Sequence, residues 1–267
     1  MLAKPNPLQR VVVVGRSRAG RAISRGLAEA GEAAVLLPGS ATWDEEGRSA
    51  IRAATLLVVA VPDRFLAPVA ERLAAALLGS AAPRPAALHL SGARDDSELH
   101  ALAGVGCPTA SCHPVQALDG SGSAPLAGVV YGIQGSPRGV EAARALAVAL
   151  GGRPHDLGAA DKPLWHLAAV LASGGVVGLL SAARDLLVLC GLTTAEALAA
   201  LGPLARAALE GALERGPEAA LTGPVARGDE ATLAAHRRTL AERDPSRAAL
   251  YEALVVEQER LARARRA

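Results

Sequence analysis

The chain has 267 residues and a formal net charge of +2 at pH 7, and its composition is 51% hydrophobic but only 2% aromatic. Acidic and basic residues are interspersed, without a basic groove or aromatic stacking residues, which argues against a nucleic-acid-binding protein. Three cysteines have neither metal-ligand spacing nor an even number, which is typical of a reducing compartment without a metal site. The start, MLAKPNPLQR, lacks the apolar segment of a signal peptide, so we expect a cytoplasmic protein.

The first predicted elements form a nucleotide-binding unit. Four valines at 11–14 predict a strand, a glycine-flanked loop follows, and a helical pattern ends at Gly31. This order presents backbone N–H groups at a helix N-terminus to the pyrophosphate of a dinucleotide. The predicted cofactor-binding loop consists of Gly15, Arg16, Ser17, Arg18, Ala19 and Gly20. Ser17 replaces the middle glycine of the usual G-x-G-x-x-G pattern, so a Rossmann-shaped domain that has lost its nucleotide stays an alternative.

The second predicted strand, at 33–37, bears on the choice of cofactor. NAD enzymes usually carry Asp or Glu at the end of this strand to bind the ribose 2′-hydroxyl, but here no acid occurs before Asp44. Arg16, Arg18 and Arg21 cluster at the loop, where guanidinium groups could bind a 2′-phosphate. We therefore expect NADP rather than NAD, the alternative being that these arginines are solvated surface charges.

The remaining elements divide the chain into two parts. Apolar runs at 56–61, 86–90, 109–112, 129–134 and 153–157 predict strands, with helices at 66–78 and 138–150. Beyond Gly158 the pattern is helical, at 162–190, 194–215, 229–243 and 246–265, and the basic run 260–266 is interpreted as a solvated helix end. We predict a doubly wound α/β Rossmann domain, 1–157, and an all-α domain, 158–267, with the ligand between them.

The segment 163–183 contains no Asp, Glu, Lys or Arg, so it is long enough and apolar enough to span a bilayer. It follows a soluble α/β pattern and is flanked by Asp161 and Asp185. A helix that is apolar all round is also what the centre of a soluble helical domain requires. We therefore expect a buried axial helix, and no membrane partner.

Polar residues at the start of this helix predict a chemical surface. At about 100° per residue, Lys162, His166 and Ser173 lie within roughly 40° of each other on the helical wheel. Such a stripe is typical of a proton-transfer or carboxylate-binding surface. The alternatives are a frayed, solvated Lys162 and a His166 that belongs to the core.

Two further groups of polar residues stand out. In the segment 221–236, Thr222 lies in a turn, Arg227 could bind a substrate carboxylate, and Asp229 lies on one helix face with His236. Helix capping alone would also explain Asp229. His113 ends a predicted strand, where open α/β sheets bind ligands, although it could be a plain loop residue.

Six motifs together resemble a known family. They are the loop Gly15–Gly20, Val61-Pro62-Asp63, His89-x-Ser91-Gly92, His113-Pro114-x-Gln116, Lys162-Pro163-Leu164-Trp165-His166, and the string from Leu221 to His236. The chain resembles, over its whole length, the Rossmann-plus-helical family catalogued as domain of unknown function 2520. That family is related to ketopantoate reductases, pyrroline-5-carboxylate reductases and the 6-phosphogluconate dehydrogenase-like superfamily. The sequence departs from the family pattern at Gly174, where the family has Asn, and lacks a Ser/Arg pair after the second strand.

The resemblance implies a cytoplasmic NAD(P)-dependent oxidoreductase, dimeric through a 6-phosphogluconate dehydrogenase C-terminal-like helical domain. We expect hydride transfer between NADP(H) and a small carbonyl or imine substrate with a carboxylate, a 2-oxo acid first. The expected catalytic residues are Lys162 as general acid, and His166, Ser173, His113 and Asp229, which orient the substrate or tune the lysine. Val61, Pro62, Asp63 and Ser91 join the cofactor-binding residues, and Arg227, Thr222 and His236 bind the substrate.

Two alternatives stay open. Ser17 and Gly174 favour a non-catalytic NADP-binding sensor or scaffold that kept the fold but lost catalysis. His113-Pro114 suggests a prephenate dehydrogenase-like enzyme, but such enzymes generally have larger helical domains.

Overall fold

The computed structural model describes residues 6–39, 42–118, 125–158 and 160–266. Contacts divide the chain into two compact units, residues 1–173 and 174–267. By these contacts the helix that begins at Lys162 belongs to the first unit. The domain boundary expected from the sequence, between residues 157 and 158, stays a prediction.

The first unit is built on a seven-stranded sheet. Its strands are β1 (Val11–Val14), β2 (Ala34–Leu37), β3 (Leu56–Val59), β4 (Ala86–His89), β5 (Thr109–Pro114), β6 (Val130–Gly135) and β7 (Arg153–Asp156). The order is β2-β1-β3-β4-β5-β6-β7, with β1 to β5 parallel, β6 antiparallel to β5, and β7 parallel to β6. The doubly wound, mostly parallel sheet is therefore confirmed.

Helices cover both faces of this sheet. They are α1 (Arg18–Glu29), α2 (Glu45–Ala53), α3 (Leu66–Leu77), α4 (His100–Gly104) and α5 (Pro137–Ala149). The next helix, α6 (Lys162–Val170), belongs to neither hydrophobic cluster and is mostly exposed. Side chains alternate along a strand, so Val11 and Val13 pack into one hydrophobic cluster and Val12 and Val14 into the other. Burial on both faces explains why the central strands are continuous apolar runs.

The second unit is helical throughout its described residues. It contains α7 (Val176–Leu189), α8 (Thr194–Arg215), α9 (Pro217–Ala220), α10 (Pro224–Arg227), α11 (Glu230–Arg243) and α12 (Ala248–Ala264). Thr193 and Glu196 form a reciprocal capping box at the start of α8, and the Asp229 side chain caps α11. A π-helical turn, Leu171–Gly175, joins α6 to α7, so 162–189 forms one helix of 28 residues.

The expectation that this long helix is buried is wrong for the single chain. Only 6% of its most apolar window is buried, and among the described residues it is the one helix long and apolar enough to cross a membrane. Val177 of α7 is 69% exposed and Leu204 of α8 is 68% exposed. Large apolar side chains therefore remain uncovered along α7 and α8 in the single chain.

Candidate active site

The loop between β1 and α1 is built around two glycines. Gly15 has φ +125°, and a Cβ on it would lie 2.1 Å from the carbonyl oxygen of Ala60. A Cβ on Gly20 would lie 2.0 Å from the carbonyl oxygen of Gly15. Both positions therefore require glycine, one for the turn and one for close packing of helix and strand.

Ser17, the departure from the glycine pattern, has a local structural role. It is the N-cap of α1 in extended backbone conformation, and its hydroxyl accepts a hydrogen bond from the Gly20 N–H at 3.1 Å. No acceptor among the described residues takes the N–H groups of Arg18 and Ala19, and the first turn contains no acid. The start of α1 thus keeps the donors and the dipole that favour an anion.

The end of β2 contacts this loop, and an arginine of α3 that the sequence did not predict donates to the backbone just after β2. The Gly15 N–H donates to the Leu37 carbonyl at 2.9 Å, and Gly39 packs against Gly15. From α3, the Arg72 guanidinium donates to the Gly39 carbonyl and lies 5.1 Å from the centre of the Trp43 ring. A cation therefore lies where the ribose-binding acid of NAD enzymes would be, and Arg16 and Arg18 are exposed beside it.

The residues after β3 and β4 continue the same edge of the sheet. Val61 packs on Gly15, and Asp63 begins a short 3₁₀ turn after Pro62. The Ser91 hydroxyl accepts hydrogen bonds from the N–H groups of Ala93 and Arg94, at 3.2 and 3.0 Å, and so holds the turn after β4. Because strands β1, β3 and β4 are parallel, their carboxyl ends form one ligand-binding edge.

Lys162 is buried at this edge rather than frayed. Its side chain enters the first unit with only 2% of the residue exposed. The Nζ atom donates to the Ser91 carbonyl at 2.9 Å and to the Ser111 hydroxyl on β5. Burial lowers the pKa of this amine from 10.5 to about 8. An ammonium has three donors, so one hydrogen remains for a ligand.

Two histidines of the sheet edge are held neutral. Burial is the main cause that lowers the pKa of both His89 and His113 to about 4. His113 Nδ1 accepts a hydrogen bond from the Trp165 indole N–H at 3.1 Å, which leaves the ring proton on Nε2. His89 is fixed in the same way, because its Nδ1 accepts from the Ser91 N–H at 3.2 Å. Both tautomers follow from hydrogen bonds that the motifs alone did not predict.

Gly92 brings His113 and His166 together. The two rings lie 6.0 Å apart at 72°, and a Cβ on Gly92 would lie 2.8 Å from His113 Nε2 and 2.5 Å from His166 Cδ2. Beside them, Trp165 packs on Gly132 and stacks on His155 at 5.5 Å. The structure therefore groups Lys162, His113 and His166 around the end of β4.

The predicted stripe of Lys162, His166 and Ser173 is not formed. Ser173 lies in the π-helical turn, is exposed, and donates to the Ala169 carbonyl of its own helix at 2.7 Å. Lys162 is buried, so the two side chains have different surroundings. A wheel at 100° per residue assumes regular α-helix, and the π turn changes the phase before Ser173.

The remaining predicted residues belong to the second unit. Thr222 and Arg227 line one cavity there. Asp229 accepts hydrogen bonds from the Thr232 N–H at 3.1 Å and from the Thr232 hydroxyl at 2.7 Å, as a helix cap does. His236 Nδ1 lies 2.8 Å from the Tyr251 hydroxyl. Asp229 and His236 thus each have a partner within their own unit.

Comparisons with known proteins agree with this architecture. Residues 129–257, just under half of the chain, match the family model described as Domain of unknown function (DUF2520). No match was found among curated proteins.

Three solved structures illustrate the likeness of fold. TM1727 from Thermotoga maritima is 22% identical with a TM-score of 0.71, and the match covers 96% of this chain and 100% of that one. The candidate NADP oxidoreductase BF3122 from Bacteroides fragilis is 20% identical with a TM-score of 0.72, over 96% and 100%. Pyrroline carboxylate reductase from Plasmodium falciparum, solved with NADP bound, is 12% identical with a TM-score of 0.59, over 97% and 100%. At these identities the likeness establishes the fold, a Rossmann-like sheet followed by a helical region.

Proposed function

We propose that this chain is an NADP(H)-dependent reductase that acts on a small carbonyl or imine compound bearing a carboxylate, with a 2-oxo acid as the first candidate. The observation that carries the proposal is the buried ammonium of Lys162, which lies with two neutral histidines at the edge of the sheet that would hold a dinucleotide. The similar fold of a reductase with bound NADP supports it.

The residues at the sheet edge fit a phosphorylated dinucleotide. Gly15 and Gly20 let the loop approach closely, and the free donors at the start of α1 would bind the pyrophosphate. Val61, Pro62, Asp63 and Ser91 would border the nicotinamide half. Arg72, with Arg16 and Arg18, would bind the 2′-phosphate, because β2 ends without an acid. When bound, this cofactor supplies the hydride.

Lys162 would act as general acid. The third N–H of its ammonium donates a proton to the substrate oxygen as negative charge develops there. A pKa of about 8 keeps most of the amine protonated at neutral pH and still lets it release the proton readily.

His113 would orient the substrate. Because the Trp165 indole occupies Nδ1, only the Nε2–H of His113 can donate to a ligand. Nε2 lies against Gly92, whose missing side chain lets the rings of His113 and His166 pack closely on the turn after β4. We leave Ser173 out of the catalytic group, since its hydroxyl is bonded to its own helix.

The test is a titration with NADPH and NADH, followed by NADPH oxidation with a panel of 2-oxo acids and carboxylated cyclic imines. We expect NADPH to bind at least tenfold tighter than NADH and at least one substrate class to turn over. Lys162→Met should lower kcat by more than 100-fold and leave the NADPH Kd within twofold. Binding without turnover of any substrate would favour the non-catalytic sensor, and no binding would refute both functions.

We also propose that a second copy of the chain covers the apolar surface of α7 and α8, giving a soluble, cytoplasmic homodimer. The long helix is anchored in folded protein at both ends, because Lys162 is buried against the sheet strands and the Leu189 carbonyl accepts from Arg243 at 2.7 Å. Near the C-terminal end, Asp185 also pairs with Arg184 and Arg247. A free membrane span would have no such anchors, and the free thiols fit a reducing compartment.

Sedimentation velocity without detergent tests the dimer. We expect a dimer for the natural chain and a monomer for Val177→Arg, which places a charge in the apolar surface. Leu78→Arg is the matched control, because Leu78 is 63% exposed in the first unit and should leave the dimer intact. A monomeric natural chain, or one that needs detergent to stay soluble, would contradict this proposal.

A further inference from the structure

A cavity in the second unit brings Arg227 together with two consecutive arginines from the C-terminal end of the chain. It has a volume of about 460 Å³, and Arg227 at the end of α10 lines it with Arg265 and Arg266 from the end of α12. Thr222 and Gly223 complete the polar part of the wall. Arg265 and Arg266 are exposed, as the interpretation of the C-terminal basic run as a solvated helix end predicts.

Among the described residues, these three arginines form no ion pair within 4 Å, although Arg227 lies close enough to Asp229 to help lower the pKa of its carboxyl. Elsewhere on α12, Arg260 pairs with Glu257 at 2.7 Å and Arg263 lies 3.8 Å from Glu259. In the described ranges, by contrast, no carboxylate lies within ion-pair distance of the cavity arginines, and no acid lines the wall. Arg265 reaches only a backbone carbonyl, that of Leu221, at 3.5 Å.

The nearest acid in sequence to Arg227 is already engaged. Both carboxylate oxygens of Asp229 accept hydrogen bonds from Thr232, where they cap α11. Three guanidinium groups that line one cavity repel each other, so an anion bound between them would relieve that repulsion.

We propose that this cavity binds a phosphate monoester. A single guanidinium fork satisfies both oxygens of a carboxylate, whereas a phosphate ester presents three terminal oxygens and about two negative charges, which match three arginines. The Thr222 hydroxyl can add one more hydrogen bond. The wall also contains Leu221, Ala226 and Ala262, which leave room for a small organic group. The proposal does not depend on the reductase function.

Isothermal titration of the full chain with inorganic phosphate and glycerol 3-phosphate, at constant ionic strength, tests this site. We expect one saturable site per chain for both, and binding of succinate and acetate at least tenfold weaker. Arg227→Gln and Arg265→Gln should each weaken phosphate binding at least tenfold without lowering the melting temperature. Arg260→Gln, which removes an equal charge from a paired position on the same helix, should leave binding within twofold.

Four outcomes would overturn the proposal. Absence of saturation means that the cavity holds no phosphate, and equal weakening by Arg260→Gln means that only net charge matters. Equal affinity for succinate would reassign the cavity to carboxylates. Binding that is lost in Gly15→Ala would mean that the phosphate occupies the dinucleotide loop instead, so the two sites are distinguished whether or not the reductase proposal holds.

Discussion

The buried Lys162 should cost the fold stability near neutral pH, and this cost can be measured. With a pKa of about 8 in the folded chain and 10.5 when unfolded, the charged lysine lowers the free energy of unfolding by about 3 kcal/mol at pH 7. Lys162→Met removes this penalty while keeping a similar volume. It also removes two hydrogen bonds, worth about 1 kcal/mol each, so we expect a net gain of roughly 1 kcal/mol at pH 7.

The sign of the pH dependence follows from the lowered pKa. Between about pH 8 and pH 10.5 the unfolded chain still holds a proton that the folded chain has released, so the natural protein gains stability as pH rises through this window. The Met variant lacks this gain. Urea unfolding of both proteins from pH 7 to pH 10 should show their difference move by about 2.5 kcal/mol in favour of the natural chain.

All other titrating groups are common to both proteins, so they cancel in this difference. Parallel stability curves would show that Lys162 has an ordinary pKa and would refute the reasoning from burial.

If Lys162 is also the general acid, kcat for reduction should fall as pH rises through about 8, when the ammonium loses its proton. A rate that stays flat to pH 9.5 would remove Lys162 from that role.

Three further variants test the cofactor edge and the histidines. Gly15→Ala should weaken NADPH binding at least 100-fold in a fluorescence titration because its Cβ would clash with the Ala60 carbonyl just after β3, whereas Gly31→Ala, also at positive φ but in open space, should not. Arg72→Gln should weaken NADPH tenfold or more and leave NADH unchanged; an equal loss for both would contradict a 2′-phosphate contact. Trp165→Phe should give His113 mixed tautomers in ¹⁵N spectra and a roughly tenfold lower kcat, with NADPH affinity unchanged, and a spectrum like that of the natural chain would disprove the indole contact.

Much of the sheet could be predicted because its strands are buried on both faces and stand out as apolar runs. The four valines of β1 and the residues 56–59 of β3 are examples. Helix α2 was missed, since it buries only Gly47 and Ile51 and its sequence is otherwise polar. The antiparallel direction of β6 could not be predicted from the sequence either, because a strand has the same alternation of side chains in both directions.

Two candidate site residues could be singled out from the sequence, but their hydrogen bonds could not, and their roles stay predictions. His113 and Lys162 stood out because polar residues are rare in apolar segments. The Trp165 indole is distant in sequence from His113, and the Arg72 guanidinium is distant from Gly39. No spacing pattern in the sequence could therefore predict these two contacts. Exposure of the long helix was mispredicted because composition tells how apolar a helix is, not whether its own chain covers it.

The Ser17 cap has a consequence for how quickly and how tightly the coenzyme associates. The serine hydroxyl accepts from the Gly20 N–H, so it restrains the first turn of α1 without help from a ligand. Little entropy then remains to be lost when the dinucleotide arrives. Ser17, which departs from the glycine pattern, would in this way preorganise the site. The association rate should then be limited by the encounter of two rigid partners and not by ordering of the loop.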